Sequence, residues 1–401
     1  MDRLEIRNFA GIEHLDVEFK PLTVFIGPQA SGKSIIVKLR YVMELLATNY
    51  RSLLPLELDE DEMQSRLRKK FTSFFNEPKL IGETTKIHYQ DHVSSIILSL
   101  KAKSLIFKFD KGYHPSAKSI QDAIINQFKA ANDSIDTNLA KLIYESMLQQ
   151  SFELVFSRSN IFIPASRSSF YTIEGNSFKV IDSQISLDSF MKAFGGYLQQ
   201  HSNIEFYKGF KDLNHEQIND VLKGKFGLSN EREIIISDDN RKTQVSTSSS
   251  GQQEALPMFK ALSIVNSSPS MDYKITIEEP EAHLFPSAQK KIVELLASLF
   301  NDKEREFNFY ITTHSPYILS ALNNLIEAGN IAKNADDEKK ARLHDIIPEQ
   351  LHIDIDKVAV YGLKDGKLTD LIDREENLID ATFLDEVSNE IGREFDQLLA
   401  L

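Results

Sequence analysis

Gly27-Pro28-Gln29-Ala30-Ser31-Gly32-Lys33-Ser34 fits the phosphate-binding pattern G-x-x-x-x-G-K-[ST] at every position. The apolar run Leu22-Thr23-Val24-Phe25-Ile26 leads into it and reads as a buried strand, and the stretch from Ile35 to Met43 reads as a helix. That strand–loop–helix setting is what gives the motif a mechanism. Gly27 and Gly32 let the backbone curl so that its N–H groups point inward at phosphate oxygens. Lys33 is expected to reach the β- and γ-phosphates, and the Ser34 hydroxyl to ligate magnesium. Binding of a nucleoside triphosphate with Mg²⁺ is therefore the first expectation.

The chain of 401 residues is long enough for a large core and more than one lobe. It contains no cysteine, which excludes disulfides, zinc–thiolate sites and thiol catalysis. Neither a signal-like apolar N-terminus nor an apolar stretch of membrane-spanning length is present, so a cytoplasmic protein without a membrane partner is expected. A formal net charge of −13 argues against a broadly basic nucleic-acid-binding surface, though it leaves room for a local groove. Part of the acidic excess sits at the end: from Asp365 to Leu401 there are eleven acidic residues against three basic ones. That stretch reads as a solvated helix face or as a docking surface for a basic partner.

Leu4–Arg7 and Leu15–Phe19 alternate apolar with polar residues, as half-buried strands do. A charged helix is expected from about Asp59 to Phe75. Strands are expected over Lys86–Leu100 and Ser104–Phe109, with a turn at Asp110-Lys111-Gly112. Helical patterns cover about Ser119–Leu154 and Leu187–Lys225, separated by a strand that ends at Pro164. Glu231–Val245 reads as a hairpin through Asp238-Asp239-Asn240.

The remaining chemistry is compressed into about seventy residues. Tyr273–Ile277 is a short apolar-rich strand closed by Glu278-Glu279, the arrangement a Walker B segment requires. The first carboxylate would sit beside Mg²⁺, and the second would polarise the water that attacks the γ-phosphate. Phe307, Phe309 and Ile311 alternate into Thr312-Thr313-His314-Ser315-Pro316, so His314 stands at the C-terminal end of a strand, where ligands sit in α/β sheets. Taken alone, His314 reads more readily as a satisfied core histidine than as a ligand. Ser248-Ser249-Ser250-Gly251-Gln252-Gln253-Glu254 precedes an apolar helix. It reads either as ordinary capping or as a helix N-terminus that binds a γ-phosphate.

The order phosphate loop, Ser-Ser-Gly-Gln-Gln, strand-Glu-Glu-Pro and then His resembles the ABC-type ATPase heads, in the branch containing RecF, SMC and the OLD ATPases. Glu278-Glu279-Pro280-Glu281-Ala282-His283-Leu284, Thr312–Tyr317, Ile6-Arg7-Asn8-Phe9 and Ile163-Pro164-Ala165-Ser166-Arg167 are similar to stand-alone bacterial members. The resemblance implies an α/β P-loop NTPase fold of ABC-ATPase type, with a mixed central sheet, an antiparallel β lobe and helical insertions. It implies a head over residues 1–330, with the lobe at about 86–112 and insertions at about 49–80, 115–158 and 185–230. Residues 331–401 would form an α/β extension ending in an acidic amphipathic helix.

Carried onto this sequence, the resemblance makes Lys33 and Ser34 the phosphate and magnesium residues. Glu278 becomes the Walker B acid, Glu279 the catalytic base and His314 the switch histidine. Ser249, Gly251 and Gln252 fall in the signature that caps a second subunit's nucleotide, with Glu281 and His283 in a dimer-contacting loop. Ser248 and Ser250 stand where the family has leucine and glycine, and no residue matches its magnesium-sensing glutamine; Arg167 falls near that region. One copy of each motif implies an ATP-dependent homodimer. Phe383, Val387, Ile391, Phe395 and Leu398 form a stripe expected to pack back on the head. Three functions follow: an ATPase controlling a separately encoded effector such as a nuclease in anti-phage defence, as in PARIS and Septu systems; a RecF-like ATPase that clamps DNA; and a slow-hydrolysing assembly scaffold.

Overall fold

The computed structural model describes residues 2–53, 58–77, 80–91, 95–101, 104–109, 160–174, 188–201, 215–230, 232–267, 272–380 and 392–399. In chain order the elements begin with β1 (Asp2–Phe9), β2 (Ile12–Phe19), β3 (Leu22–Ile26), α1 (Lys33–Leu53) and α2 (Glu60–Phe74). Next come β4 (Ile81–Gln90), β5 (Ser95–Lys101), β6 (Ser104–Phe109), β7 (Asn160–Ile163), α3 (Ser169–Glu174), α4 (Ser189–Gln200) and α5 (His215–Leu222). The hairpin region holds β8 (Lys225–Ser229), β9 (Arg232–Ile236) and β10 (Lys242–Gln244). After it follow α6 (Ser250–Ser267), β11 (Asp272–Glu278), α7 (Pro286–Phe300), β12 (Glu306–Thr313), α8 (Pro316–Asn334), α9 (Asp337–Ile346), β13 (Val358–Lys364) and β14 (Lys367–Asp370). The chain divides into two units, one of residues 1–19, 34–161 and 188–190, the other of residues 20–33, 162–187 and 191–401.

The first unit is built on a five-stranded antiparallel sheet in the order β2-β1-β4-β5-β6. Strand alternation puts Leu4, Ile6, Val17, Ile87, Tyr89, Ile96, Leu98 and Phe107 on one buried face. The expected single strand over Lys86–Leu100 is two strands, β4 and β5, with Lys86 opposite Ser99. Apolar residues alternate on both sides of Asp91, so a hairpin and one long strand share the same period in sequence. Within this unit Arg40 on α1 is buried and donates to Asp2 at 2.8 Å, and Tyr89 donates to the same carboxylate at 3.1 Å. A buried charge holds its place only when paired in this way. The expected turn at 110–112 and helical pattern over 119–154 lie outside the described residues.

The second unit carries a six-stranded sheet in the order β14-β13-β3-β12-β11-β7. Strands β13, β3, β12 and β11 run parallel, and β14 returns antiparallel at the edge, so the sheet is mixed. All five residues of β3 are buried, as expected for a strand covered on both faces. One face packs on α7 and α8: Leu22, Val24, Phe309 and Ile311 meet Val293, Leu296, Ile318 and Leu322 around a cavity of only about 20 Å³. Helices α7 and α8 each begin at a proline, Pro286 and Pro316, whose missing N–H costs nothing in a first turn. Strand β13 joins the sheet directly beside β3, across the division expected at residue 330. The segment 392–399 is helical with every residue exposed, including Phe395 and Leu398 of the expected packing stripe. Phe383, Val387 and Ile391 lie outside the described residues.

Candidate functional site

Parallel register brings the chemistry to one edge of the second unit's sheet. Ile26 is level with Thr313, and Glu278 with Thr312, so the loop after β3, the carboxylates after β11 and the histidine after β12 leave the sheet together. This is the carboxyl edge at which open α/β sheets hold ligands.

The loop after β3 is shaped by residues of positive φ. Ala30 has φ 59° and Gly32 φ 101°, which turns successive N–H groups toward the inside of the loop. Gly27 is required for a second reason: a Cβ there would collide with the Leu363 carbonyl of β13. Lys33 is 4% exposed, and its ammonium donates to the carbonyls of Gly27 at 2.8 Å and Pro28 at 2.7 Å, with Ser31 Oγ at 3.3 Å. Burial lowers its pKa, opposed by the charges of Glu279 and Glu281. Pro28, Gln29 and Ala30 are exposed at the tip, and Ser34 follows in the first turn of α1.

Glu278 is the last residue of β11 and is 3% exposed, its Oε2 accepting from the Ala165 N–H at 3.3 Å. Glu279 follows with φ 45°, a conformation that costs a non-glycine residue about 1–3 kcal/mol. Its N–H donates to the Thr312 carbonyl at 2.9 Å. Its carboxylate Oε1 lies 3.1 Å from His314 Nε2, while His314 Nδ1 lies 3.5 Å from Lys33 Nζ. Toward an ammonium Nδ1 can only accept, so this approach is a hydrogen bond in the tautomer that carries its proton on Nε2, facing Glu279. His314 thus lies between the loop lysine and the second carboxylate.

At the start of α6, Ser249 is the N-cap and Gln252 the third helical residue. Gln252 Oε1 accepts from Ser249 N at 3.1 Å and from Ser249 Oγ at 3.0 Å, and Gln252 N donates back to Ser249 Oγ at 3.4 Å. This reciprocal pattern is a capping box with glutamine at its far end. Gln252 also donates to the Leu222 carbonyl at 2.6 Å. Ser249 remains exposed, whereas Gly251 is buried: a Cβ there would stand 2.7 Å from the His283 carbonyl oxygen. Capping chemistry and an exposed helix N-terminus therefore coexist, and Gly251 serves the close packing of α6 on the loop after Glu279.

A model of the AAA ATPase domain family matches residues 56–319, a span of 264 of the 401 residues that includes both carboxylates and His314. The chain belongs to the AAA ATPase domain family. No curated protein matches it. Among solved structures it is similar to the SMC head domain from Thermotoga maritima, at 13% identity over 92% of this chain and 97% of that one, with a TM-score of 0.39. It is also similar to the SmcHead bound to the C-winged helix domain of ScpA, at 13% identity over 93% and 98%, with a TM-score of 0.43.

Membership of the AAA ATPase domain family implies a nucleotide with magnesium, and the donor set fits that ion. The buried Glu278 carboxylate is a hard oxygen donor of the kind magnesium takes. Among the described residues no helix of this AAA ATPase is long and apolar enough to cross a membrane. Two residues of the site carry more than their sequence positions suggest. Glu281 is buried, and its Oε1 accepts from Thr313 Oγ1 at 2.6 Å and from the His314 N–H at 2.7 Å, so it ties the loop after Glu279 to the end of β12. Glu254, one turn into α6, is 1% exposed and accepts from the backbone N–H groups of Arg167 and Ser168 at 2.8 and 3.1 Å. Nothing in the pattern around Glu254 marks it in sequence, where it reads as one more polar residue of a helix start.

Proposed function

We propose that this chain binds and hydrolyses Mg·ATP at the edge formed by Lys33, Glu278, Glu279 and His314, in a site completed by a second copy of itself. The observation that carries this reading is the chain of contacts from Lys33 through His314 to Glu279. Lys33 would meet the β- and γ-phosphates, with the loop N–H groups around them. Ser34 and Glu278 would hold magnesium, which when bound neutralises phosphate charge. Glu279 takes a proton from the attacking water while the His314 Nε2–H holds its carboxylate in place. The N-terminus of α6, with Ser249, would present its free N–H groups to the γ-phosphate held by the other copy. Phe285 and Tyr317, 78% and 54% exposed on the segments that follow Glu279 and His314, support a covering partner.

The separately encoded effector and the place in anti-phage defence rest on the resemblance to stand-alone OLD-like ATPases. Glu279→Gln should bind ATP, hydrolyse it about 10²-fold or more slowly and run as a dimer on sizing chromatography with Mg·ATP. A monomeric elution under those conditions would overturn the two-copy site. DNA-stimulated turnover that falls steeply with salt would favour a DNA clamp over an effector ATPase.

A further inference from the structure

Arg167 is fully buried in the second unit, where its guanidinium pairs with the Glu254 carboxylate, Nε to Oε2 at 3.5 Å, and donates to backbone carbonyls. Nη1 donates to the carbonyls of Glu278 at 2.8 Å and Pro164 at 3.0 Å, and Nη2 to the carbonyl of Glu279 at 3.1 Å. Nε donates to the carbonyl of Glu254 at 2.9 Å, and the Arg167 N–H to Glu254 Oε2 at 2.8 Å. The carbonyls of Glu278 and Glu279 belong to the two peptide groups on either side of the Glu279 Cα. Rotation about either backbone bond of Glu279 must swing one of those carbonyls away from the guanidinium.

We infer that Arg167 is a positioning residue: by gripping both peptide groups that flank Glu279 and tying them to the first turns of α6, it sets the aim of the Glu279 carboxylate from the α6 N-terminus. The inference rests on the reading of Glu279 as the hydrolytic base. Three observations support it. Glu279 sits at φ 45°, which a glutamate does not hold unaided. The grip needs a spread fork: a guanidinium offers donors on three nitrogens, and a lysine ammonium, with its three protons on one atom, cannot reach the carbonyls of Glu254, Pro164, Glu278 and Glu279 at once. The same guanidinium carries the contact to α6, and Gly251 packs that helix on the His283 carbonyl from the other side. A displacement of α6, such as a nucleotide on the second copy would cause, therefore reaches Glu279 through the Arg167 side chain.

The test uses the full chain. Arg167→Met and Arg167→Lys should lower kcat for ATP about 10²-fold, the scale of a misplaced catalytic group, with KM held within about twofold. In a Glu279→Gln background, Arg167→Lys should add no further loss, because both changes act on the same carboxylate. Hydrogen–deuterium exchange in Arg167→Lys should quicken over 250–256 and 278–284 and stay unchanged over 306–313. Wild-type kcat in Arg167→Lys, losses that multiply in the double variant, or unchanged exchange over 278–284 would each overturn the inference. Should the wild-type chain fail to hydrolyse ATP, the proposed function falls, while the exchange measurement still decides whether Arg167 holds Glu279. Arg167→Lys keeps the buried charge and carries every arm if Arg167→Met does not fold.

Discussion

Lys33 shows how a single buried charge links folding to ligand. Burial holds its pKa below 10.5, so the charged lysine is less comfortable in the folded chain than in the unfolded one. The unfolded state binds the proton more tightly, and stability without nucleotide therefore rises as pH climbs through the lowered pKa toward 10.5. Phosphate oxygens would remove that disadvantage. Lys33→Ala should accordingly abolish the ATP-dependent rise in melting temperature, while the wild-type chain gains about 2.7 kcal/mol at a ligand concentration of 100 Kd. Differential scanning fluorimetry with and without Mg·ATP measures both. The placement of Lys33, Glu278, Glu279 and His314 at one sheet edge was legible in sequence because each ends or follows a strand or opens a helix. The contacts of Arg167 and Glu254 were not, because most of their partners are backbone carbonyls and N–H groups, which leave no mark on the residue type that offers them.

At the scale of elements, α6 is the most informative. Its start reads in sequence both as a cap and as an anion site, and the capping box between Ser249 and Gln252 shows that the first reading holds on its own. Ser249→Ala should cost about 1 kcal/mol of stability, measured by chemical denaturation. Gly251→Ala should cost more and also slow ATP turnover, because the His283 carbonyl, a backbone atom, must retreat from the new Cβ. Equal effects of the two substitutions on turnover would count against the packing role of Gly251. Strand β3 was legible residue for residue because both its faces are buried and its sequence is apolar throughout. The split between β4 and β5 was hidden because pairing partners, and not periodicity, distinguish a hairpin from a long strand.

Across the whole molecule, the net charge of −13 is matched by an exposed helical segment at 392–399 that carries Phe395, Leu398 and Leu399 into solvent. Phe395→Asp should leave the melting temperature of the full chain almost unchanged, within about 0.5 kcal/mol, as exposed sites generally do. A fall of several degrees would restore the expectation that this stripe packs on the head. Long-range topology was the least legible level, since nothing in the sequence of β13 announces that it pairs with β3.

That pairing has a temporal consequence. Strand β3, at residues 22–26, lies between β12 and β13, whose residues begin at 306 and 358. On a ribosome adding roughly 5–20 residues per second, the phosphate loop emerges roughly 20 to 70 seconds before the second strand that must flank it. Until then Gly27 has no Leu363 to rest on, and the loop has no rigid base. A nascent chain arrested before β13 should therefore neither bind ATP nor pair with a copy of itself, so competence arrives only once residues 358–364 have been made.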